Sequence, residues 1–592
     1  MDTREDRQDD SGVNASSEST PLVVNSDEQP AAEISQTEQK MTPGRLLVVG
    51  CILVTELCER MTFYSVTANM VLFCTSVLKF DSESASLITQ VFGGTVALFP
   101  VIGGYVSDAF LGKFRTILIS ATIYLIGLIL LPASAINYPE WFKAEHHLSI
   151  EGRKSLFFLA LVFIAIGTGG IKANVGPFGA QQVQDLGPKA LQSFFNWFYW
   201  FINAGSIIAF SAVAYVQQEK GFDVGFIIPL CSMVVAVIMF VVARGKYVQV
   251  PPRGSVLFKS INVCCKACHK CKDPSWDHAI NKGYDDGFVY GVRAATRVIP
   301  IFLMIIVYWA VYSQMSSTLY LQSERMNLFV GDVKMPAALL SIFDTIIILI
   351  LIPLMEIIYR QLEKIDKNPT HLQRIGIGMV FAVCAMLVSG VIEMVRKSDI
   401  EKHGGFPQEL AGSTFNASNI SVFAQVPEFV LIGTSEVFTS ISGLEFAYTQ
   451  APSFMQGLLM GMFLMTSGLG GYVASLIVVI ASSWRTSDAS DWYPKEPNNG
   501  HLEYFLYLLA VLTALNLCVF IIVAKRYKYN NPEAGQVNDD NNDGNYGDKI
   551  IIIEASNDNT NNIDHESTEV KSIASDNYGT FETNGKDNNT MT

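Results

Sequence analysis

The chain has 592 residues, half of them hydrophobic, and a net charge of −14 from 41 basic and 55 acidic side chains. Recurrent apolar stretches of twenty residues or more exclude an ordinary soluble domain and indicate a membrane protein. The acidity sits at the two ends: residues 1–45 carry −6 and residues 529–592 carry −10, which leaves about +2 for everything between.

The N-terminal stretch 1–45 is polar and acidic, without the apolar core of a cleavable signal. It cannot bury enough apolar surface to fold alone and is expected to be a disordered tail. Windows of about 20 residues then predict six membrane helices, near 46–76, 86–108, 115–137, 155–176, 193–217 and 224–245. A loop over 246–295 follows, and then six more, near 296–322, 336–359, 373–396, 426–449, 455–482 and 503–526. A second disordered tail is expected over 527–592. The predicted fold is all-α, with twelve transmembrane helices in two six-helix bundles, the layout of carriers built from two related halves.

The first apolar segment carries the most informative cluster. Glu56, Glu59 and Arg60 fall within five residues, and each charge costs about 2.5–3.5 kcal/mol at a helix centre. At roughly 100° per residue they share one face, which Phe63 continues. They must face each other or a polar cavity, and such a cluster reads as an ion or proton path. After the second segment, Gly104-Tyr-Val-Ser-Asp108-Ala-Phe-Leu-Gly112-Lys113-Phe-Arg115 joins an acid at a helix end to flanking cations. Lys172 lies mid-membrane in the fourth segment, tolerable only beside a counter-charge such as Glu56 or Glu59. In the tenth segment Glu436 and Glu445 are nine positions apart, about half a turn around the helix, so they cannot share a face.

Loop charge sets the orientation. Lys113, Arg115, Lys189, Arg360, Lys364, Lys367, Lys525 and Arg526 collect on one side, and roughly half as many cations lie opposite, among them Lys79, Lys143, Lys220, Lys334 and Lys495. The basic side is expected to be cytosolic, with both tails on it. The loop between segments 9 and 10 then faces the lumen or exterior and carries two acceptor sequons, at Asn416 and Asn419. Four of the ten cysteines, Cys264, Cys265, Cys268 and Cys271, cluster with His269 in the central loop. One knuckle is not the usual pair of a zinc site, and a reducing loop near a membrane equally suits acylation. No metal is expected.

The loop sequence at 104–115 matches the major facilitator motif, in which the acid and cations latch the bundles on the cytosolic side. Three further strings, Glu56 to Tyr64, Gly167 to Gly179 followed by Phe195-Asn196-Trp197-Phe198-Tyr199, and Gly433 to Glu436 with Gly443 to Tyr448, resemble the signatures of the proton-coupled oligopeptide transporters. Within that family the chain is most similar to the animal peptide/histidine branch, on Tyr308-Trp309-Ala-Val-Tyr312-Ser-Gln314-Met315 and on the runs around Leu431 and Phe194.

That resemblance implies a carrier, not an enzyme, which moves histidine, dipeptides and tripeptides with protons and needs no cofactor. It implies proton coupling at Glu56, Glu59 and Arg60, and substrate contact at Tyr64, Lys172, Asn196, Trp309 and Glu436, where Glu436 receives the amino terminus. Tyr64, Asn196 and Trp309 are equally readable as packed interior residues. Asp108 and Arg115 take a gating role and Glu445 a packing or gating one. The chain departs from relatives at Gln90, Ser313, Phe63 and Thr67, and its eight histidines all lie in loops, extensions or helix edges. Coupling must therefore run through carboxylates. The alternatives are a membrane sensor or scaffold for signalling partners, and a carrier of nitrate or another small solute. A lysosomal or endosomal membrane is expected, with the plasma membrane as alternative. Weak sorting signals support it: Glu18, Leu22 and Val23 approximate an acidic dileucine pattern, and Tyr578 with Phe581 fits a tyrosine-based one, both open to sorting adaptors. Lipid surrounds the body, and no nucleic-acid partner is expected.

Overall fold

The computed structural model describes residues 42–138, 141, 143, 148–252, 256–267, 286–365, 367–450, 456–485 and 491–529. The sorting residues Glu18, Leu22, Val23, Tyr578 and Phe581 lie outside them, as do Cys268, His269 and Cys271.

Membrane helices dominate. The first half comprises α1 (Pro43–Thr67), α2 (Ser82–Val106), α3 (Lys113–Ala135), α4 (Ile150–Gln181), α5 (Pro188–Ile208) and α6 (Ile227–Val242). The second comprises α7 (Asp286–Tyr312), α8 (Ser341–Glu363), α9 (His371–His403), α10 (Val426–Glu436), α11 (Gln456–Ser482) and α12 (Leu502–Arg526). Eleven helices among the described residues are long and apolar enough to span a bilayer. The twelfth, α1, has 25 residues, roughly 37 Å at 1.5 Å per residue, and is set apart from the other spans by the charges of Glu56, Glu59 and Arg60.

Local chemistry sets several ends. Asp81 caps α2 by accepting from the Ser84 amide at 2.8 Å. Thr370 and Gln373 form a capping box before α9, which closes at Gly404 in the left-handed region. The first apolar segment is not continuous: α1 stops at Thr67, and a short helix resumes at Met70–Ser76. Asn69 fills the break, donating to the Ala214 carbonyl at 2.9 Å and to Gln217 at 3.1 Å. The seventh helix starts at Asp286, ten residues ahead of the apolar window, and the central loop contains a helix, Val256–Ala267. Helix α10 passes through a π-helical turn, Val437–Ile441, into a final helix, Ser442–Thr449.

The halves meet along α2 and α11 at glycines. A Cβ added to Gly94 would sit 2.8 Å from the Gly468 carbonyl, and one added to Gly468 would sit 2.8 Å from the Gly94 carbonyl. Only hydrogen at both positions lets the backbones approach this closely.

Polar contacts between the halves gather on the side of the sequons, the sequon face. Tyr320 donates to Asn69 at 2.7 Å, Gln90 donates to Ser317 at 2.9 Å, and Tyr493 donates to Ser86 at 2.6 Å. Glu219 pairs with Lys334 at 2.9 Å, and the Ser82 amide donates to the Lys495 carbonyl at 3.1 Å. A hairpin of β-strands, Phe406–Leu410 with Ser413–Ala417, turns at Ala411 and Gly412, both at positive φ as a tight two-residue turn demands. Its tip reaches the first half, where the Ala411 amide donates to the Gln218 carbonyl at 3.2 Å and Lys79 donates to Ser413 at 3.2 Å. Burial pushes the Tyr493 hydroxyl up to about 12, against the smaller opposing effect of its bonds to Ser86 and Thr318. It therefore stays a neutral donor at any physiological pH.

The strap that carries Tyr493 and Lys495 is held to the second half by Arg325. That side chain is 1% exposed and bonds Glu496 through Nε at 2.7 Å and Nη2 at 3.0 Å, and Glu324 through Nη1 at 2.9 Å. Arg396 does the same one helix away, bidentate to Glu393 and 2.6 Å from Asn498. Buried pairs of this kind fix geometry more than they stabilise it.

Candidate substrate and proton site

On α1 the three charged residues are buried, with Glu56 4%, Glu59 0% and Arg60 5% exposed. Both acids share the one guanidinium: Arg60 Nε is 3.1 Å from Glu56 Oε1, and Arg60 also pairs with Glu59. The second Glu59 oxygen, Oε1, has no hydrogen-bond partner among the described residues. One arginine between two carboxylates leaves an acid under-compensated, the condition in which a buried carboxyl can take up a proton. Helix α5 braces this face, where a Cβ on Gly205 would sit 2.8 Å from the Leu57 carbonyl and 3.2 Å from Arg60 Cβ.

Lys172 on α4 is exposed. Its ammonium does not pair directly with Glu56 or Glu59: among the described residues no carboxylate oxygen lies within 4.0 Å of Nζ. It acts electrostatically on all three α1 charges, across the ring of Phe63. That ring stands 6.0 Å from Lys172 Nζ and 5.7 Å from the Arg60 guanidinium carbon, a cation over an aromatic on each side. Two acids and two cations thus make a pole of zero net charge, with the Lys172 ammonium apart from any direct carboxylate partner among the described residues.

In the second half Glu436 ends α10 where the π-turn begins. It is half-buried, Tyr312 donates to it, and its Oε2 has no partner among the described residues. Ser435, beside it, donates to Tyr308 at 3.0 Å. Trp309 packs its Cβ against Gly470 of α11, and its buried Nε1 has no acceptor. Tyr64 lies between the poles: its ring is 5.3 Å from Phe210, and its hydroxyl is within electrostatic reach of Arg60 and Glu59 in one half and of Glu436 and Asp344 in the other.

Asp344, in the first turn of α8, escaped the sequence reading. It is 5% exposed and feels the charge of Glu436. The signal existed: it is the lone ionisable residue among fifteen from Ser341 to Met355, the pattern that marked Lys172. Tyr199 is the second addition. It feels Glu436, Tyr64 and Asp344, whereas Asn196, one turn earlier on α5, is exposed.

The other expected residues lie away from the cavity. Asp108 pairs with Lys113 at 3.1 Å inside its own loop, while Arg115 is exposed, so the observed acid–cation pair joins neighbours in one half. Glu445 is 3.4 Å from His371 Nδ1 and 3.5 Å from Arg374 Nη1, tying the end of the α10 continuation to the start of α9. It is separated from Glu436 in environment as well as in angle. Asn416 and Asn419 are both exposed at the hairpin. Gln90 is buried and links the halves through Gln314 and Ser317.

Two sets of six helices, with Glu56, Glu59, Arg60 and Lys172 on one half and Asp344 and Glu436 on the other, define a membrane carrier of the major facilitator type. The family model described as the POT family (PTR2) matches residues 114–493, and the chain belongs to that family, the proton-coupled oligopeptide transporters. Peptide transport coupled to protons, without an organic cofactor or enzymatic chemistry, is that family's general activity. Among similar proteins, NRT1/ PTR FAMILY 8.1 of Arabidopsis thaliana is 33% identical over 81% of this chain and 93% of its own length. Solute carrier family 15 member 3 of Mus musculus is 30% identical over 82% and 92%. The crystal structure of an auto-inhibited POT family peptide transporter has the same fold, with a TM-score of 0.68 and 24% identity over 81% of this chain and 97% of that one.

Proposed function

We propose that this protein is a proton-coupled symporter that carries histidine, dipeptides and tripeptides from an acidic lumen to the cytosol. The observation that carries this reading is the division of charge across one cavity. Lys172 and Arg60 offer cations from the first half, Glu436 offers an unpaired carboxylate oxygen from the second, and Tyr64 is in reach of both. A zwitterionic substrate bridges them, with carboxylate toward Lys172 and ammonium toward Glu436. Trp309 and Tyr199 supply walls, and Asn196 enters only if the cavity widens toward it. Glu56 and Glu59 compete for Arg60, and arrival of the substrate carboxylate at that cation pole changes which acid keeps it, so that a proton moves with substrate.

Direction and location form part of the same proposal. With the basic face toward the cytosol, the sequon-face seal is the luminal gate, and the structure corresponds to the state closed toward the lumen. An acidic compartment supplies the gradient this direction requires, and that supports a lysosomal or endosomal membrane as the site of action. Glycans at Asn416 and Asn419 fit that side. Ser418, the hydroxyl residue of the first sequon, is fully buried, so modification of Asn416 would precede folding of the hairpin.

Purified protein in proteoliposomes, with an inside-directed proton gradient, should accumulate labelled histidine and dialanine above the outside concentration, and a protonophore should abolish this. Uptake indifferent to the gradient would defeat the proposal. A second reading draws on relatives named NRT1/ PTR: a small inorganic anion would take Lys172 and leave Glu436 without a role. Nitrate uptake in the same vesicles, unaffected by Glu436→Ala, would favour it.

A further inference from the structure

We propose that Asp344 forms a second carboxylate subsite beside Glu436, which selects substrates bearing a second cationic group next to their amino end, an imidazolium above all. The inference rests on the reading that Glu436 receives the substrate ammonium, and extends it to the class of substrate preferred.

Geometry brings the two acids together. Gly433 lies three residues before Glu436 on α10, just under one turn and roughly 4.5 Å along the axis. A Cβ at Gly433 would stand 2.9 Å from Asp344 Oδ1 and 3.0 Å from the Asp344 carbonyl. Glycine is what allows α8 to come close enough to set its carboxylate against this turn. Once there, Asp344 is nineteen-twentieths buried and its Oδ1 accepts no hydrogen bond. Glu436 Oε2 is unpartnered as well.

The surroundings leave both acids uncompensated by the protein. Among the described residues neither Asp344 nor Glu436 pairs with a lysine or arginine within 4.0 Å. What surrounds them is a set of neutral hydroxyls: Tyr308, Tyr312, Tyr64 and Tyr199 each feel both carboxylates. This is the reverse of the α1 pole, where Arg60 and Lys172 match Glu56 and Glu59. Two buried carboxylates cannot both remain charged without cations. A single α-ammonium satisfies one of them. Histidine in its protonated form brings two cationic groups on one short skeleton, and the second can go to Asp344.

The test compares histidine with β-(2-thienyl)alanine, a neutral ring of similar shape, as ligands of full-length protein in detergent at about pH 5.5, where most imidazole is protonated. Affinity is read from ligand-induced thermal stabilisation and by competition against labelled dialanine. Wild type should prefer histidine by about tenfold or more, and Asp344→Asn should bring the ratio to within about threefold of one. A wild-type ratio near one, or a ratio unmoved by Asp344→Asn, would overturn the subsite. If Asp344→Asn fails to fold, the wild-type ratio still decides. Failure of wild type to bind any of the three ligands would instead strike the reading of Glu436 and the transport function beneath it.

Discussion

The two halves meet the same expense, charge inside a membrane, in opposite ways. In the first half it is neutralised within the protein: Glu56 and Glu59 share Arg60, and Lys172 stands across Phe63. In the second half Glu436 and Asp344 have tyrosine hydroxyls around them and, among the described residues, no paired cation. The first pole is complete without substrate and is suited to exchanging a proton. The second is incomplete and is suited to waiting for a positively charged ligand. A carrier needs both, because a site satisfied everywhere would not bind, and one satisfied nowhere would not fold.

The comparison can be broken at the gate, at either pole or at single bonds. The largest effect is expected from locking the sequon face. Glu219→Cys with Lys334→Cys, joined by a short thiol cross-linker, should stop exchange completely, since the Glu219–Lys334 pair at 2.9 Å spans the halves. Continued exchange in the cross-linked protein, measured against each single variant treated alike, would show that this face need not open. Next is Arg60→Met, which leaves two buried acids without their cation and should destabilise the fold by about 3–5 kcal/mol, read as a lower melting midpoint in detergent. An unchanged midpoint would mean that the first pole is not internally neutralised. Glu436→Ala should weaken substrates with a free amino group by about 2–5 kcal/mol, and N-acetylated analogues far less; equal losses would remove Glu436 from the amino-end role. Smallest is Tyr320→Phe. It deletes the 2.7 Å bond to Asn69, worth about 0.5–1.5 kcal/mol, and should shift the population toward opening on the sequon face, seen as faster labelling of a cysteine placed at Ser86. Labelling no faster than in the same cysteine variant with Tyr320 intact would mean the bond does not hold the gate.

Much of this was legible in the sequence because it rests on local pattern. Apolar windows locate the spans, and the spacing of Glu56, Glu59 and Arg60 puts them on one face before any fold is known. Lys172 was readable as a charge that needed company, but not its position across Phe63, because that depends on how α4 packs on α1. Asp344 was overlooked although its isolation in an apolar run was the same signal. The break at Ala68 and Asn69 could not be read, since Asn69 is held by Gln217 and Tyr320, residues 148 and 251 positions away. The gate is built throughout from such distant pairs of ordinary polar residues, which carry no pattern along the chain. The expected Asp108 and Arg115 latch shows the reverse limit: a string of residues fixes which side chains are close, and the fold decides that Lys113 takes the acid.

The most direct test of the account is gradient-driven accumulation of labelled dialanine in proteoliposomes by wild type, Glu56→Gln and Glu59→Gln. The amide keeps the shape of each side chain and cannot carry the proton. Wild type is predicted to concentrate the substrate under an inward proton gradient, while each variant retains exchange of internal for external dialanine but accumulates none. Accumulation at the wild-type level in both variants would contradict the assignment of proton coupling to the α1 pole.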